Sequence, residues 1–185
     1  MMGTNPIAVA LPRANAEPLV VDLALSKVAR GKILAAKREG KKIPADWALD
    51  ADGNPTDDPA AGLAGSMLPI GDAKGAALIL AVELLSAGLT GSNFGYEASS
   101  FFEGDGEPPH IGHTLIVFQP DVASGGRFAE RMENIIGAIE QTEGARLPGS
   151  SRLAHRQSAI DNGLKIPSTL HQEITDIIDT GKTHG

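Results

Sequence analysis

GDAKGAALILAVELLSAGLTGSNF, Gly71 to Phe94, joins a flexible turn to a long apolar helix. Leu78, Ile79, Leu80, Val82, Leu84 and Leu85 surround most of the circumference between Ala76 and Gly88, which is the pattern of a buried central helix. Glu83 is the one charge in its interior, and Gly88 and Gly91 supply a stop. The Gly71–Gly75 turn sets Lys74 beside the free N–H groups of the first helical turn, where an anion is stabilised. Lys74 also reads as an ordinary solvated loop residue.

Upstream, Ile7–Leu11 is an apolar strand closed by Pro12, and Pro18–Ala24 is a second. Arg13–Glu17 between them has hairpin length. Asp22 is a carboxylate near the end of that second strand, a position suited to ribose hydroxyls and equally to a helix-entry charge. Ser26 is a good N-cap for a helix over Lys27–Glu39, ended by Gly40 and Pro44. Arg30 and Lys32 come early enough in it to look into a site near Asp22. Ala45–Gly65 is turn-rich and acidic and reads as an ordered loop or small hairpin. Its Asp50/Asp52/Asn54 spacing lacks the glycine and the bidentate glutamate of a calcium loop, so calcium is rejected.

Downstream, the loop Ser92–Gly112 holds three of the five phenylalanines and the one tyrosine, a composition typical of functional or interfacial loops. His110 and His113 are three apart with no third ligand in view, so no metal site is assigned. His113–Asp121 is the clearest strand in the chain. A helix follows over Arg127–Glu143, with Phe128, Met132, Ile135, Ile136 and Ile139 on one face. Arg146-Leu147-Pro148-Gly149-Ser150-Ser151-Arg152 is a loop able to offer N–H groups, hydroxyls and two guanidinium groups to an anion. It also reads as a plain helix entry, with Ser150 or Ser151 capping a helix to Asn162. A Ser168-capped helix to Thr180 ends the pattern.

The chain has 185 residues, enough for one domain with a core. Aromatics are 4%, so that core is aliphatic. A net charge of −7 argues against a nucleic-acid backbone as partner. With no cysteine there is no disulfide, thiolate metal site or cysteine nucleophile. No apolar run reaches membrane-spanning length and the N-terminus has no signal-peptide pattern, so a cytoplasmic location is expected.

Five motifs occur in order: Gly3-Thr4-Asn5-Pro6-Ile7-Ala8, Asp22-Leu23-Ala24, Ala29-Arg30-Gly31-Lys32-Ile33, Ala73-Lys74-Gly75 and Leu147-Pro148-Gly149-Ser150. Together they resemble the malate/L-lactate dehydrogenase family of NAD(P)-dependent oxidoreductases, which includes ureidoglycolate and sulfolactate dehydrogenases and the pyrroline-2-carboxylate and piperideine-2-carboxylate reductases. The resemblance implies an α/β fold of the α+β type, with a mostly antiparallel sheet flanked by helices and no Rossmann turn. The absence of a G-x-G-x-x-G turn after a strand agrees. It divides the chain into a cofactor-binding domain over 1–145 and a C-terminal helical segment over 146–185.

Carried over residue by residue, the resemblance implies that Thr4 contacts substrate. It implies that Asp22, Leu23, Ala24, Lys74, Pro148, Gly149 and Ser150 contact NAD or NADP. Lys32 stands where the imine reductases tend to carry aspartate, which points to the hydroxyacid branch. The family's catalytic histidine belongs to a segment upstream of Met1, and no histidine here matches it. The expected reaction is hydride transfer between NAD(P) and a small 2-hydroxy or 2-oxo acid, by a cytoplasmic homodimer without nucleic-acid or membrane partners. This chain is expected to be a truncated form with negligible turnover alone. Two alternatives stay open: a cyclic imino acid (pyrroline/piperideine-2-carboxylate) reductase, and a non-catalytic nucleotide-binding fragment.

Overall fold

The computed structural model describes residues 3–102 and 106–180. Two apolar stretches bounded by prolines pair as an antiparallel hairpin, β1 (Ile7–Leu11) and β2 (Leu19–Leu23). The register sets Ile7 opposite Leu23 and Leu11 opposite Leu19. A second antiparallel pair, β3 (Ala48–Leu49) with β4 (Ser66–Met67), lies between the helices. The expected α+β arrangement with antiparallel pairing holds.

The helix forecast from Lys27 starts later, as α1 (Arg30–Arg38). Ser26 does not cap it. Its hydroxyl donates to the Val28 carbonyl at 2.7 Å, and its backbone bridges Pro69. Lys27 N–H donates to Leu68 O at 2.7 Å, so this segment zips against residues 68–70 before the helix can begin. Within the acidic loop the reading missed α2 (Pro59–Ala64). The signal was present: Asp58 accepts from the N–H groups of Ala60 and Ala61, and Pro59 occupies the first turn. Asp50 is a turn residue and accepts from the N–H groups of Asp52 and Asn54. These bonds hold its carboxyl below the usual range, Asn54 contributing most.

Val28, Ile33, Ile43 and Ala48 form a small core, with Ala36, Trp47, Leu63 and Met67 against it. The helix from the central stretch is α3 (Asp72–Glu83), continued by a π-turn over Leu84–Gly88. The expectation that it is buried is corrected. Leu78, Leu80, Leu84 and Leu85 are 43–54% exposed, because the described chain covers only the side bearing Gly75, Ile79, Glu83 and Ala87.

The expected strand His113–Asp121 is corrected too. Residues 111–119 pair with no other strand among the described residues, and Pro120 opens α4 (Pro120–Ser124). Leu115 is 88% and Val117 90% exposed, and Ile116 and Phe118 are exposed as well. Apolar residues on both faces are the pattern of a central strand, and over residues 115–118 both faces are largely open. The segment is pinned at its start, where the Thr114 hydroxyl donates to Leu85 O in the π-turn.

α5 (Phe128–Glu140) buries Met132 and Ile136 of its predicted apolar face, while Ile135 stays exposed. α6 (Ser150–Asn162) and α7 (Ser168–Thr180) follow where expected, although the N-cap of α6 is Gly149 rather than a serine. The Arg13 guanidinium ties α5 to the β1–β2 turn by a two-pronged contact to Glu133, at 2.9 and 2.7 Å. That hydrogen bond is the main cause holding the Glu133 carboxyl below its ordinary range. A depressed carboxyl stabilises the fold above its unfolded pKa, and the stabilisation disappears as pH falls through the folded value. Arg13→Ala is therefore expected to lower the melting temperature at neutral pH and to have no effect once the pH is below the range where Glu133 titrates. Melting curves of both proteins across that range test this; a pH-independent difference would reject it.

Candidate functional site

β1 enters from a tight turn, Gly3-Thr4-Asn5, in which Asn5 is buried and adopts a left-handed φ of 42°. Asparagine tolerates this conformation better than most residues. The carbonyl of Thr4 accepts from the N–H of Leu25 at 2.8 Å. The turn before β1 is thereby fastened to the exit of β2, where Asp22, Leu23 and Ala24 lie. Asp22, opposite Ala8 in the ladder, is exposed, with its carboxylate open to a partner.

Leu25 makes a further link. Its carbonyl accepts from Ile70 N–H at 2.8 Å, so the exit of β2 also holds the approach to α3. Gly71 follows in a left-handed conformation at φ 61°, and α3 begins at Asp72. Lys74 is exposed in the first turn, as its anion-binding reading needs. Lys27 stands nearby, its ammonium 3.9 Å from Asp72 and 3.7 Å from Asp46.

The second loop reaches the same strand from another direction. Gly149 has φ 80°, and a Cβ built on it would lie 3.4 Å from Val20 O in β2. It opens α6, a thirteen-residue helix whose first N–H groups lack intrahelical partners. Arg146 donates to the Ser151 hydroxyl at 2.8 Å, and an Arg152 nitrogen would lie 3.5 Å from the same added Cβ. The Ser150 hydroxyl is already engaged, donating to Leu147 O at 2.9 Å. Pro148 is exposed beside it.

A cavity of about 970 Å³ opens beside the Thr4 turn. Thr4, Asn5, Arg30, Glu83, Tyr96 and His113 are among the residues that line it. Of the anticipated site residues only Thr4 faces it. Asp22, Leu23, Ala24, Lys74, Pro148, Gly149 and Ser150 are strung along β2 and its exits outside the cavity wall. Arg30 reaches the cavity with its guanidinium donating to Leu63 O at 2.7 Å, whereas Lys32 is exposed and does not line it. Arg30 thus faces a cavity that Asp22 does not line, and Lys32, two positions further along the helix, points elsewhere.

Two residues of this region escaped the sequence reading. Asn5 lies inside the first motif, and Glu83 is the isolated charge of the central helix. A single carboxylate in an apolar helix was the available signal, because burying one requires donors from elsewhere. Tyr96 stacks on Phe94 with ring centroids 5.9 Å apart, and the charge of Glu97 is the leading cause raising its hydroxyl's pKa. No group of three or more metal-ligating side chains occurs among the described residues. His184 lies outside the described residues. No described helix is long and apolar enough to cross a membrane.

Comparison with known proteins gives a consistent answer. A family profile described as malate/L-lactate dehydrogenase matches residues 1–175. The (2R)-3-sulfolactate dehydrogenase (NADP(+)) of Chromohalobacter salexigens is 53% identical over 174 residues, which are 94% of this chain and 52% of that protein. A Δ1-pyrroline-2-carboxylate/Δ1-piperideine-2-carboxylate reductase of Pseudomonas syringae pv. tomato is 43% identical, over 90% of this chain and 49% of that one. Among solved structures, the Δ1-piperideine-2-carboxylate reductase of the same organism superposes with a TM-score of 0.81 at 40% identity, covering 93% of this chain and 52% of that chain. The sulfolactate dehydrogenase of Methanocaldococcus jannaschii gives 0.72 at 30% identity, covering 96% and 52%. The chain spans about half the length of the relatives it matches. A profile match over almost the whole chain, with relatives this similar, means that the protein belongs to the malate/L-lactate dehydrogenase family.

Proposed function

We propose that this chain holds NAD(P) along β2 and takes part in hydride transfer between that cofactor and a small 2-hydroxy or 2-oxo acid bound at the Thr4 turn. One observation carries the reading. Leu25 N–H joins the Thr4 carbonyl while Leu25 O joins Ile70, so the substrate turn, Asp22–Ala24 and the approach to Lys74 share a single hydrogen-bonded crossing. Gly149 rests on the same strand at Val20.

The donor set suits a dinucleotide. The exposed Asp22 carboxylate can accept from ribose hydroxyls, while Leu23 and Ala24 supply backbone and apolar surface beside it. The Lys74 ammonium and the first turn of α6 beyond Ser150, whose own N–H donates to Leu147 O at 3.3 Å, suit phosphate oxygens, with Arg146 and Arg152 adding charge there. Pro148 and Gly149 shape the second loop, whose missing Cβ lets a ligand approach the backbone. When bound, the cofactor supplies hydride chemistry at its nicotinamide ring. The chain's own part is to orient ring and acid. Arg30 gives the cavity a positive group for an acid's anionic head, and no residue of this chain is assigned as proton donor. Residues 1–145 form the cofactor-binding part in this reading, and 146–185 a helical segment that contributes the second loop.

The C. salexigens relative is NADP-dependent by name, which supports NADP and a sulfonated or carboxylated hydroxyacid here. We also propose a homodimer. The chain exposes 13508 Å², where a compact monomer of its mass exposes about 8,400 Å². Part of this surplus suits an obligate interface, which takes about 1,000–2,500 Å² from each partner.

Fluorescence titration with NADPH and NADH tests the cofactor reading. Saturable binding is expected, and Lys74→Ala is expected to weaken it by about 10- to 100-fold, the loss of one charge-assisted hydrogen bond. Wild-type chain that shows no saturable binding to either nucleotide would sink it.

A further inference from the structure

Glu83 is the last residue of α3, where the helix loosens into the π-turn, and it is 8% exposed. A carboxylate buried to this degree is costly unless donors meet it. Both oxygens are met. Asn5 Nδ2 donates to Oε1 at 2.9 Å, and Gly95 N–H donates to Oε2 at 3.3 Å. These donors come from segments far apart in the chain, the Gly3–Asn5 turn and the Phe94–Tyr96 turn.

Glu83 brings the two turns into direct contact. A Cβ on Gly95 would fall 2.8 Å from Gly3 N and 2.9 Å from Glu83 Oε1, so only glycine lets the backbones approach this closely. Asn5 is buried with a left-handed φ, a conformation that non-glycine residues adopt seldom and asparagine more readily than most. The turn is therefore held from outside: Leu25 grips the Thr4 carbonyl, and Glu83 grips the Asn5 side chain. π-turns inside helices are frequent at functional sites, and this one follows directly after the gripping residue.

We propose that Glu83 is a positioning residue: through Asn5 and Gly95 it fixes the Gly3–Thr4–Asn5 turn so that Thr4 meets the polar head of a hydroxyacid in the cavity. This rests on the reading of Thr4 as a substrate contact. Glu83 need not touch the ligand. It sets where Thr4 stands, while the cofactor strand is held by separate bonds.

A paired substitution separates this role from general stability. In Glu83→Gln the new amide has one acceptor oxygen for two donors, so one bond is lost. In Asn5→Asp two carboxylates face each other. In the double variant N5D/E83Q the pattern is restored with polarity reversed. The new amide donates to the new carboxylate and accepts from Gly95 N–H, and net charge is unchanged.

The full chain would be titrated calorimetrically with (2R)-3-sulfolactate at saturating NADPH, a pair that cannot react together. NADPH affinity and amide exchange at Leu25 and Gly95 would be measured in parallel. We expect about tenfold weaker acid binding in each single variant, NADPH affinity within about twofold of wild type, and acid binding restored in the double variant. Faster exchange at Gly95 in the single variants, reversed in the double, is expected alongside. The inference is overturned if the single variants bind the acid like wild type, if the double variant recovers slow exchange without recovering acid affinity, or if wild type binds NADPH but no acid. Equal losses of NADPH and acid binding would also overturn it, since they mean a merely structural role. Wild type that binds no nucleotide instead defeats the proposed function itself, and the inference falls with it.

Discussion

Gly75→Ala is expected to destabilise the protein severely, although alanine is the best helix former and would by propensity alone add about 1 kcal/mol. Gly75 lies in the first turns of α3, and a Cβ there would stand 1.5 Å from the carbonyl oxygen of Ile70 and 2.7 Å from its carbonyl carbon. Those are backbone atoms and cannot rotate aside. Ile70 is itself held by Leu25, so relief requires moving either α3 or the exit of β2. We expect a loss of about 3 kcal/mol or more, since forced backbone shifts outweigh propensity. In urea that is a fall in midpoint of about 1–2 M. A midpoint equal to or above that of wild type would show that the crossing between Leu25, Ile70 and α3 is wrong. Because Lys74 precedes Gly75, NADPH binding should fail together with the fold in this variant, whereas Lys74→Ala should lose binding alone.

Ile33→Ala is the second large effect. Ile33 is fully buried at the centre of a core built mainly from Val28, Ile43 and Ala48. Truncating a buried isoleucine costs about 2–5 kcal/mol through lost transfer energy and the cavity left behind. Whole domains are stable by about 5–15 kcal/mol. This chain leaves about 5,000 Å² more surface in water than a compact monomer of its mass, which puts it at the lower end of that range while its surface is uncovered. The substitution should therefore unfold a large fraction of the protein even without denaturant. Trp47 packs against this core and is the only tryptophan, so its emission reports the event directly. A red-shifted emission maximum in plain buffer is expected. An unshifted spectrum with melting within roughly 2 °C of wild type would mean that the core collapses around the gap or lies elsewhere.

The hairpin of β1 and β2, the helices α5 and α6, and the turns at Gly71 and Gly149 were legible in the sequence. Each is encoded by close neighbours: prolines bounding short apolar runs, isoleucines at helical spacing, glycines where the backbone turns left-handed. Ala73-Lys74-Gly75 was legible as a motif too, but its glycine gains a cause only from Ile70, whose carbonyl leaves no room for a side chain. Where α1 begins was not legible, because Ser26 has two uses, capping a helix or bridging Pro69, and the choice depends on a residue 43 positions away. α2 is legible in Asp58-Pro59, a capping carboxylate followed by a first-turn proline.

By itself the sequence determined family membership and much of the local conformation, because periodicity, caps and short motifs are properties of adjacent residues. Only the tertiary structure decided which faces are covered and which donors meet Glu83. Leu80 and Ile79 are adjacent and equally apolar, yet one is half exposed and the other buried, according to what packs beside them. His113–Asp121 has a strand's composition but forms no ladder within the described residues, since a ladder needs a neighbour and composition does not supply one. Asn5 and Glu83 are 78 positions apart, and no local pattern couples them; the fold brings an amide and a carboxylate to 2.9 Å because β2 and α3 are tied together at Leu25.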